Sequence, residues 1–167
     1  MLISGKEGEI NTETSDITLT GKVVGSTKDN KWNLYTEKVD YKKEGDKIIS
    51  ETRTKILNNV DKTEMESDKL ETTTAFQELT ATGNVIYKET EKKRELKSNK
   101  VTYNDVNKVA TGEGNVSYKD EKVTITANKA TSNNTVMTMQ VIMIPALIPL
   151  LFANNFHCLD HKEILPI

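Results

Sequence analysis

The chain carries an internal repeat with a period of 31 residues. A four-residue motif begins at positions 21, 52, 83 and 114 and reads GKVV, TRTK, GNVI and GNVS. A six-residue motif begins at positions 34, 65, 96 and 125 and reads LYTEKV, MESDKL, LKSNKV and ITANKA, the last unit being two residues shorter. Two motifs in register over four copies indicate one small supersecondary unit stacked on copies of itself, because a single unit cannot bury its apolar face alone.

Within each unit the residues alternate with a period of two, which predicts β-strands. In the third unit Leu79, Ala81, Gly83, Val85 and Tyr87 alternate with Thr80, Thr82, Asn84 and Ile86. A charged turn follows over 88–94, and a second strand runs over about 95–103. Successive strands joined by short polar turns favour antiparallel pairing. The sequence therefore predicts an all-β chain of stacked hairpins.

The second motif contains a slip in this alternation. Leu96 and Ser98 share one face of a strand, and Val101 and Tyr103 share one face, but strict alternation puts the two pairs on opposite sides. A one-residue bulge near 99–100 would turn all four inward, and the same slip recurs at 37–38, 68–69 and 128–129. The glycines that open three of the first motifs indicate a bulge or a close backbone approach.

Other columns of the repeat leave alternatives open. The small residues of the second motif either let two sheets approach closely or leave a lane for a ligand; they are Thr36, Ser67, Ser98 and Ala127.

Four lysines are expected to form a ladder down one edge, either as solvated residues that discourage edge pairing or as cations that meet the phosphates of an anionic lipid; they are Lys38, Lys69, Lys100 and Lys129. Four tyrosines are expected to occupy equivalent strand positions and cap the core, namely Tyr41, Tyr87, Tyr103 and Tyr118. Trp32 is expected to pack over an end.

The composition argues against several kinds of chemistry. Residues 1–140 contain neither histidine nor cysteine, which removes a Ser-His-Asp triad and a thiol nucleophile from the repeats, so we expect no enzyme and no cofactor. The formal net charge is −2 and no basic block is present, so nucleic acid is not an expected partner. His157, Cys158, Asp160 and His161 match no zinc-site spacing, so no metal site is expected.

Residues 141–167 depart from the repeat and divide the chain into a β-repeat domain, 1–140, and an atypical tail. A fifth first motif is due at position 143, but the sequence there reads VIMIPALIPLLFA over 141–153. All three prolines, both histidines and the single cysteine lie in this tail, as in a frameshifted or foreign segment. A membrane segment is an alternative, although the run is shorter than the roughly 20 residues that a spanning helix needs; an apolar cap over the stack is another.

The repeats resemble the OstA-like family, which includes the periplasmic proteins of lipopolysaccharide transport, bridge protein A and the membrane-anchored component C. The resemblance rests on ATGNV at 81–85 followed by IYK, on GEGNV at 112–116 followed by ITANKA, and, for component C, on ITLTGKV at 17–23 followed by LYTEKVDY at 34–41. It covers about residues 10–140. The chain departs from the family in lacking a signal or anchor segment, in its degenerate second unit and in the tail.

The resemblance implies an open, elongated antiparallel β-jellyroll in the periplasm that carries acyl chains of lipopolysaccharide towards the outer membrane. It also implies partners: other transport-bridge proteins, reached by pairing of edge strands or by head-to-tail self-association. The inner positions expected to meet the lipid are Leu34, Val39, Met65, Leu70, Val85, Leu96, Val101, Val116 and Ile125. The alternative function is a structural or surface β-repeat, such as an adhesin stalk, with a closed core and no ligand.

Overall fold

The structure, a computed structural model, describes residues 1–133, 136–140 and 157–158. Its fourteen strands join in one sheet. They are β1 (Leu2–Ser4), β2 (Glu7–Ile10), β3 (Ile17–Ser26), β4 (Trp32–Lys42), β5 (Lys47–Ser50), β6 (Thr54–Asn58), β7 (Thr63–Ser67), β8 (Lys69–Thr73), β9 (Glu78–Glu89), β10 (Arg94–Asn104), β11 (Val109–Lys119), β12 (Thr124–Ser132), β13 (Met137–Gln140) and β14 (His157–Cys158).

Each 31-residue unit supplies one hairpin to this sheet. Strands β3 and β4, β9 and β10, and β11 and β12 pair as antiparallel neighbours, and β13 pairs with β14 in parallel. In the second unit the two long strands are each divided in two, as β5 with β6 and β7 with β8. The predicted all-β fold of stacked antiparallel hairpins is confirmed.

The bulges recur at one level of the first, third and fourth hairpins. Ser98 pairs with Val85 and Lys100 pairs with Thr82, so that Asn99 alone lies opposite residues 83 and 84. The slip in alternation is confirmed, because Ser98 and Val101 are both buried on the same side. The two unpaired residues of each bulge nevertheless lie on the neighbouring strand that carries the first motif, and not on the strand of the second motif as predicted.

Left-handed backbone explains why glycine opens the first motif. Gly83 has a φ of +78° and Asn84 a φ of +44°, and Gly114 with Asn115 has values of +73° and +50°. Glycine adopts such a conformation without the steric cost that a Cβ brings, and asparagine tolerates it better than most other residues. The Gly-Asn pair is thus the local cause of the bulge.

The sheet is folded over along the line of bulges. Strand β4 has 11 residues and would span roughly 35 Å if straight. Trp32, its first residue, nevertheless stacks on Phe76, which lies in the turn after β8 next to the turn that ends β4. The two halves of each hairpin therefore form two facing walls, which meet at the line of bulges (the fold line) and end in two rows of turns opposite it (the mouth).

The apolar core lies between the two walls. One cluster extends from Val23 to Val101, and a smaller cluster around Val116 and Met139 continues it, with Leu96 packed against both. Among the described residues, no helix has the length and hydropathy needed to cross a membrane. Residues 141–156 and 159–167, which include most of the predicted atypical tail and its alternatives, lie outside the described residues.

Candidate functional site

The predicted inner residues line the space between the walls. Seven of the nine are buried there, with exposed fractions from 0% for Leu34 to 7% for Met65; the others are Val39, Leu70, Val85, Val101 and Val116. The remaining two, Leu96 and Ile125, are half-buried and pack against the core. The structure thus brings the whole set to one interior face, and it leaves Leu96 and Ile125 most accessible.

Sequence reasoning missed part of this interior. Val23, Ile48, Phe76 and Leu79 are also buried in the larger cluster. Val23 could have been found from the repeat, because it lies 62 residues, or two periods, before Val85. The signal for Phe76 was only that an aromatic residue occupies a turn in which the other units place polar residues or glycine.

The small-residue column lies buried at the fold line, where it makes hydrogen bonds. The hydroxyl of Ser67 donates to the carbonyl oxygen of Lys69 at 2.8 Å, and that of Ser98 donates to the carbonyl oxygen of Lys100 at 3.0 Å. Each bond spans the single residue, Asp68 or Asn99, that lies opposite a bulge. These serines therefore stabilise the slip itself, a role that neither sequence interpretation included.

The second unit replaces the Gly-Asn bulge with a cluster of hydroxyl groups. The Thr36 hydroxyl lies 2.9 Å from that of Ser50 and 2.7 Å from that of Thr52, and Thr54 donates to it at 3.0 Å. Ser50 and Thr54 are each 1% exposed, so the network satisfies polar groups that would otherwise be costly to bury. On the solvent-exposed side of the fold line, the Arg53 guanidinium donates to Asp68 Oδ1 and to the backbone oxygen of Asn84, both at 3.0 Å.

The lysine column runs along the fold line and not down an edge of the sheet, so its predicted place was wrong. Three of its members are ion-paired: Lys38 Nζ lies 3.7 Å from Asp40 Oδ2, Lys129 Nζ lies 2.9 Å from Glu113 Oε1, and Lys69 contacts Glu51. These carboxylates offset the positive charge that a row of phosphates would require.

The tyrosines form two columns at opposite ends of the strands, and not the single equivalent position that was predicted. Tyr41 and Tyr103 lie near one row of turns, and Tyr87 and Tyr118 near the other. Burial, followed by the charge of Glu89, raises the pKa of Tyr87 to about 12. Burial also raises the pKa of Tyr103, whose hydroxyl donates to Asp105 Oδ1 at 2.7 Å.

Hydrogen bonds and ion pairs lower the pKa of several carboxyl groups among the described residues. Every carboxyl pKa that is shifted there is lowered, as for Asp105 beside Lys108 and for Glu113 beside Lys129. General acids require the opposite shift. The same residues contain no group of three or more metal-ligating side chains.

Two small depressions lie outside the core. One, of about 270 Å³, is bordered by Leu79, Tyr103 and Asn107 near a row of turns. The other, of about 210 Å³, lies at the fold line beside Asn84, Asn99 and Asn115. The largest fully buried side chains, among them Phe76, Leu34 and Ile48, lie in the interior between the walls.

Comparisons with known proteins found matches among solved structures and none by sequence. No protein-family model matches the chain. No curated protein matches it by sequence. Among solved structures, the chain is similar to the crystal structure of LptH, the LptA homologous periplasmic component of the conserved lipopolysaccharide transport device from Pseudomonas aeruginosa. The two share 11% sequence identity, and the match covers 89% of this chain and 87% of that chain with a TM-score of 0.31. A TM-score this low says nothing about the site or the function.

Proposed function

We propose that this protein is a periplasmic carrier of lipopolysaccharide, which holds the acyl chains between the two walls of its folded sheet on the way towards the outer membrane. The observation that carries the proposal is a continuous apolar interior enclosed by a single sheet whose outer face is charged. A lipid that crosses an aqueous compartment must keep its chains out of water, and such an interior offers them an apolar surface. No covalent step is needed.

The expected lipid contacts are the nine inner residues named from the sequence. They lie in columns that repeat every 31 residues, so the same contact recurs along the stack. Leu96 and Ile125, the two that are half-buried, are the positions at which a chain first meets the interior. From there it would extend between the walls as the core side chains move apart.

The edges of the sheet are the proposed contacts with other transport-bridge proteins. Among the described strands, β1 and β2 pair only with β3. Leu2 and Ile10 on these strands are 71% and 66% exposed. An unpaired edge can accept a strand from another chain, and edge-to-edge or head-to-tail pairing would extend the interior from one protomer into the next.

A structural β-repeat without ligand is the second candidate, and the burial of the interior favours it. Leu34, Val39 and Leu70 are no more than 1% exposed, as in an ordinary closed core. A carrier must open this interior, whereas a stalk keeps it shut. The two functions therefore differ in whether the walls admit a ligand.

Site-specific photocrosslinking to lipopolysaccharide separates the two candidates. A photoreactive residue at Leu96 faces the interior, and one at Lys97 is the matched control, since Lys97 is the next residue of β10 and is exposed on the outer face. A carrier forms adducts at position 96 and not at position 97. Equal labelling at both positions would indicate adsorption to the surface, and no labelling at either would leave the structural repeat.

A further inference from the structure

Phe76 occupies a turn in an unusual conformation. Its side chain is fully buried, with an exposed fraction of 0%. Its backbone has a φ of +55°, a left-handed conformation that is rare for a bulky residue and costs conformational free energy. One period earlier the same position is Gly45, which is exposed and has a φ of +80°. The turn at Phe76 thus has a backbone conformation that suits glycine, although its side chain is aromatic and lies in the core.

The partner of Phe76 comes from the opposite row of turns. The rings of Phe76 and Trp32 are stacked, with centroids 5.3 Å apart and an interplanar angle of 14°. Phe76 lies in the row of turns at the far end of β4, whereas Trp32 lies at its beginning. The stack therefore joins the two walls at the mouth, opposite the fold line.

A second pair of residues reinforces this contact. Lys31 Nζ lies 5.7 Å from the centre of the Trp32 ring, in the arrangement of a cation–π interaction. The same ammonium lies 4.0 Å from Asp105 Oδ1, which belongs to the row of turns that contains Phe76. Lys31 thus covers the aromatic stack and spans the mouth.

We propose that Trp32 and Phe76 form an aromatic latch, which holds the mouth of the folded sheet shut and must separate before an acyl chain enters between the walls. This latch rests on the carrier function proposed above and identifies what regulates access to the same site. The left-handed conformation belongs to the turn, since Gly45 adopts it one period earlier without a ring contact, so the latch acts through the ring stack alone. On opening, the bound chain replaces the apolar contacts that the stack loses.

Reversible cross-linking of the mouth tests the latch in the full chain. Cysteines replace the spanning pair, as Lys31→Cys and Asp105→Cys, in a Cys158→Ser background that removes the single native thiol. A bis-thiosulfonate reagent then joins the walls, and a reducing agent releases them. Lipopolysaccharide is the probe. The readout is a photoadduct at Leu34, which is 0% exposed and lies in the apolar cluster that the latch closes.

The latch predicts that cross-linked protein loses the adduct and that reduction restores it. An adduct that persists in the cross-linked protein would overturn the latch while leaving the carrier function intact. If unlinked protein gives no adduct, the carrier function fails and the latch fails with it. The two failures are therefore distinct.

A substitution at the latch provides an independent test. Phe76→Gly removes the ring and suits the left-handed turn, so the open fraction, and with it the adduct yield at low lipopolysaccharide, should rise roughly tenfold. Val23→Ala is the matched control, because it also truncates a buried side chain but lies directly after the bulge of β3 at the fold line, away from the mouth. An equal increase in both variants would mean that general loosening, and not the latch, admits the lipid.

Discussion

Gly114→Ala tests whether the bulges depend on the backbone freedom of glycine. Gly114 has a φ of +73°, and an added Cβ would lie 2.7 Å from Asn99 Nδ2 and 3.1 Å from Asn99 Cβ. The left-handed conformation costs alanine about 1–2 kcal/mol, and displacement of Asn99 adds about 1 kcal/mol. The expected loss in free energy of unfolding is therefore about 2–3 kcal/mol.

Gly112→Ala is the control, from the same strand. Its φ is not left-handed, and its added Cβ would make ordinary contact with Leu96 Cδ2 at 3.4 Å. The free energy of unfolding should change by no more than about 0.5 kcal/mol. Urea unfolding followed by far-ultraviolet circular dichroism measures both variants. With an m-value near 2 kcal/mol/M, Gly114→Ala should lower the midpoint by about 1–1.5 M. Equal midpoints for the two variants would refute the role assigned to the bulge glycine.

Two further predictions concern the tyrosines and the fold-line serine. Because the pKa of Tyr87 is raised to about 12, its contribution to stability is fully present below its unfolded pKa of about 10 and is lost as the pH rises through the folded value. Tyr87→Phe should therefore reduce the loss of stability above about pH 10. Titration of phenolate absorbance should show that Tyr87 ionises at a higher pH than exposed tyrosines, and ionisation of Tyr87 near pH 10 would contradict this. Ser98→Ala should lower the free energy of unfolding by about 1 kcal/mol, because the part-buried hydrogen bond from the Ser98 hydroxyl to the Lys100 carbonyl oxygen is lost. Thr102→Ala on the same strand is the comparison in thermal unfolding, and equal effects would show that the serine hydrogen bond is unimportant.

Much of the fold could be predicted because the repeat multiplies a weak signal. A single shift in alternation says little, but four shifts at one spacing, two of them beside a Gly-Asn pair, indicate a bulge at a fixed level. The slip after Ser98 and the inward positions of Leu96 and Val101 follow from this pattern. Period two determines which face each side chain takes on either side of a bulge, and the bulge reverses the phase between the two segments.

The second unit and the mouth could not be predicted for physical reasons. The repeat does not predict which contacts replace the bulge in the second unit, which lacks the Gly-Asn pair. These contacts form only in the folded sheet, where the hydroxyl groups of Thr36, Ser50 and Thr54 meet from separate strands. The stack of Trp32 on Phe76 joins residues 44 positions apart that share no periodic relation. Such contacts depend on how far the sheet folds over, which local alternation does not determine.

Because the bulges lie at one level, the length of the stack and the width of its two walls are set by different features of the sequence. Strands pair about 4.8 Å apart, so each added hairpin lengthens the stack by roughly 10 Å. The position of the Gly-Asn pair within a strand, in contrast, sets how much of that strand goes to each wall. The last unit illustrates the distinction: its two missing residues fall between Val116 and Ile125, around the turn, and the bulge opposite Asn128 keeps its place. Copies can therefore be gained or lost to change the reach of the chain while its cross-section stays constant.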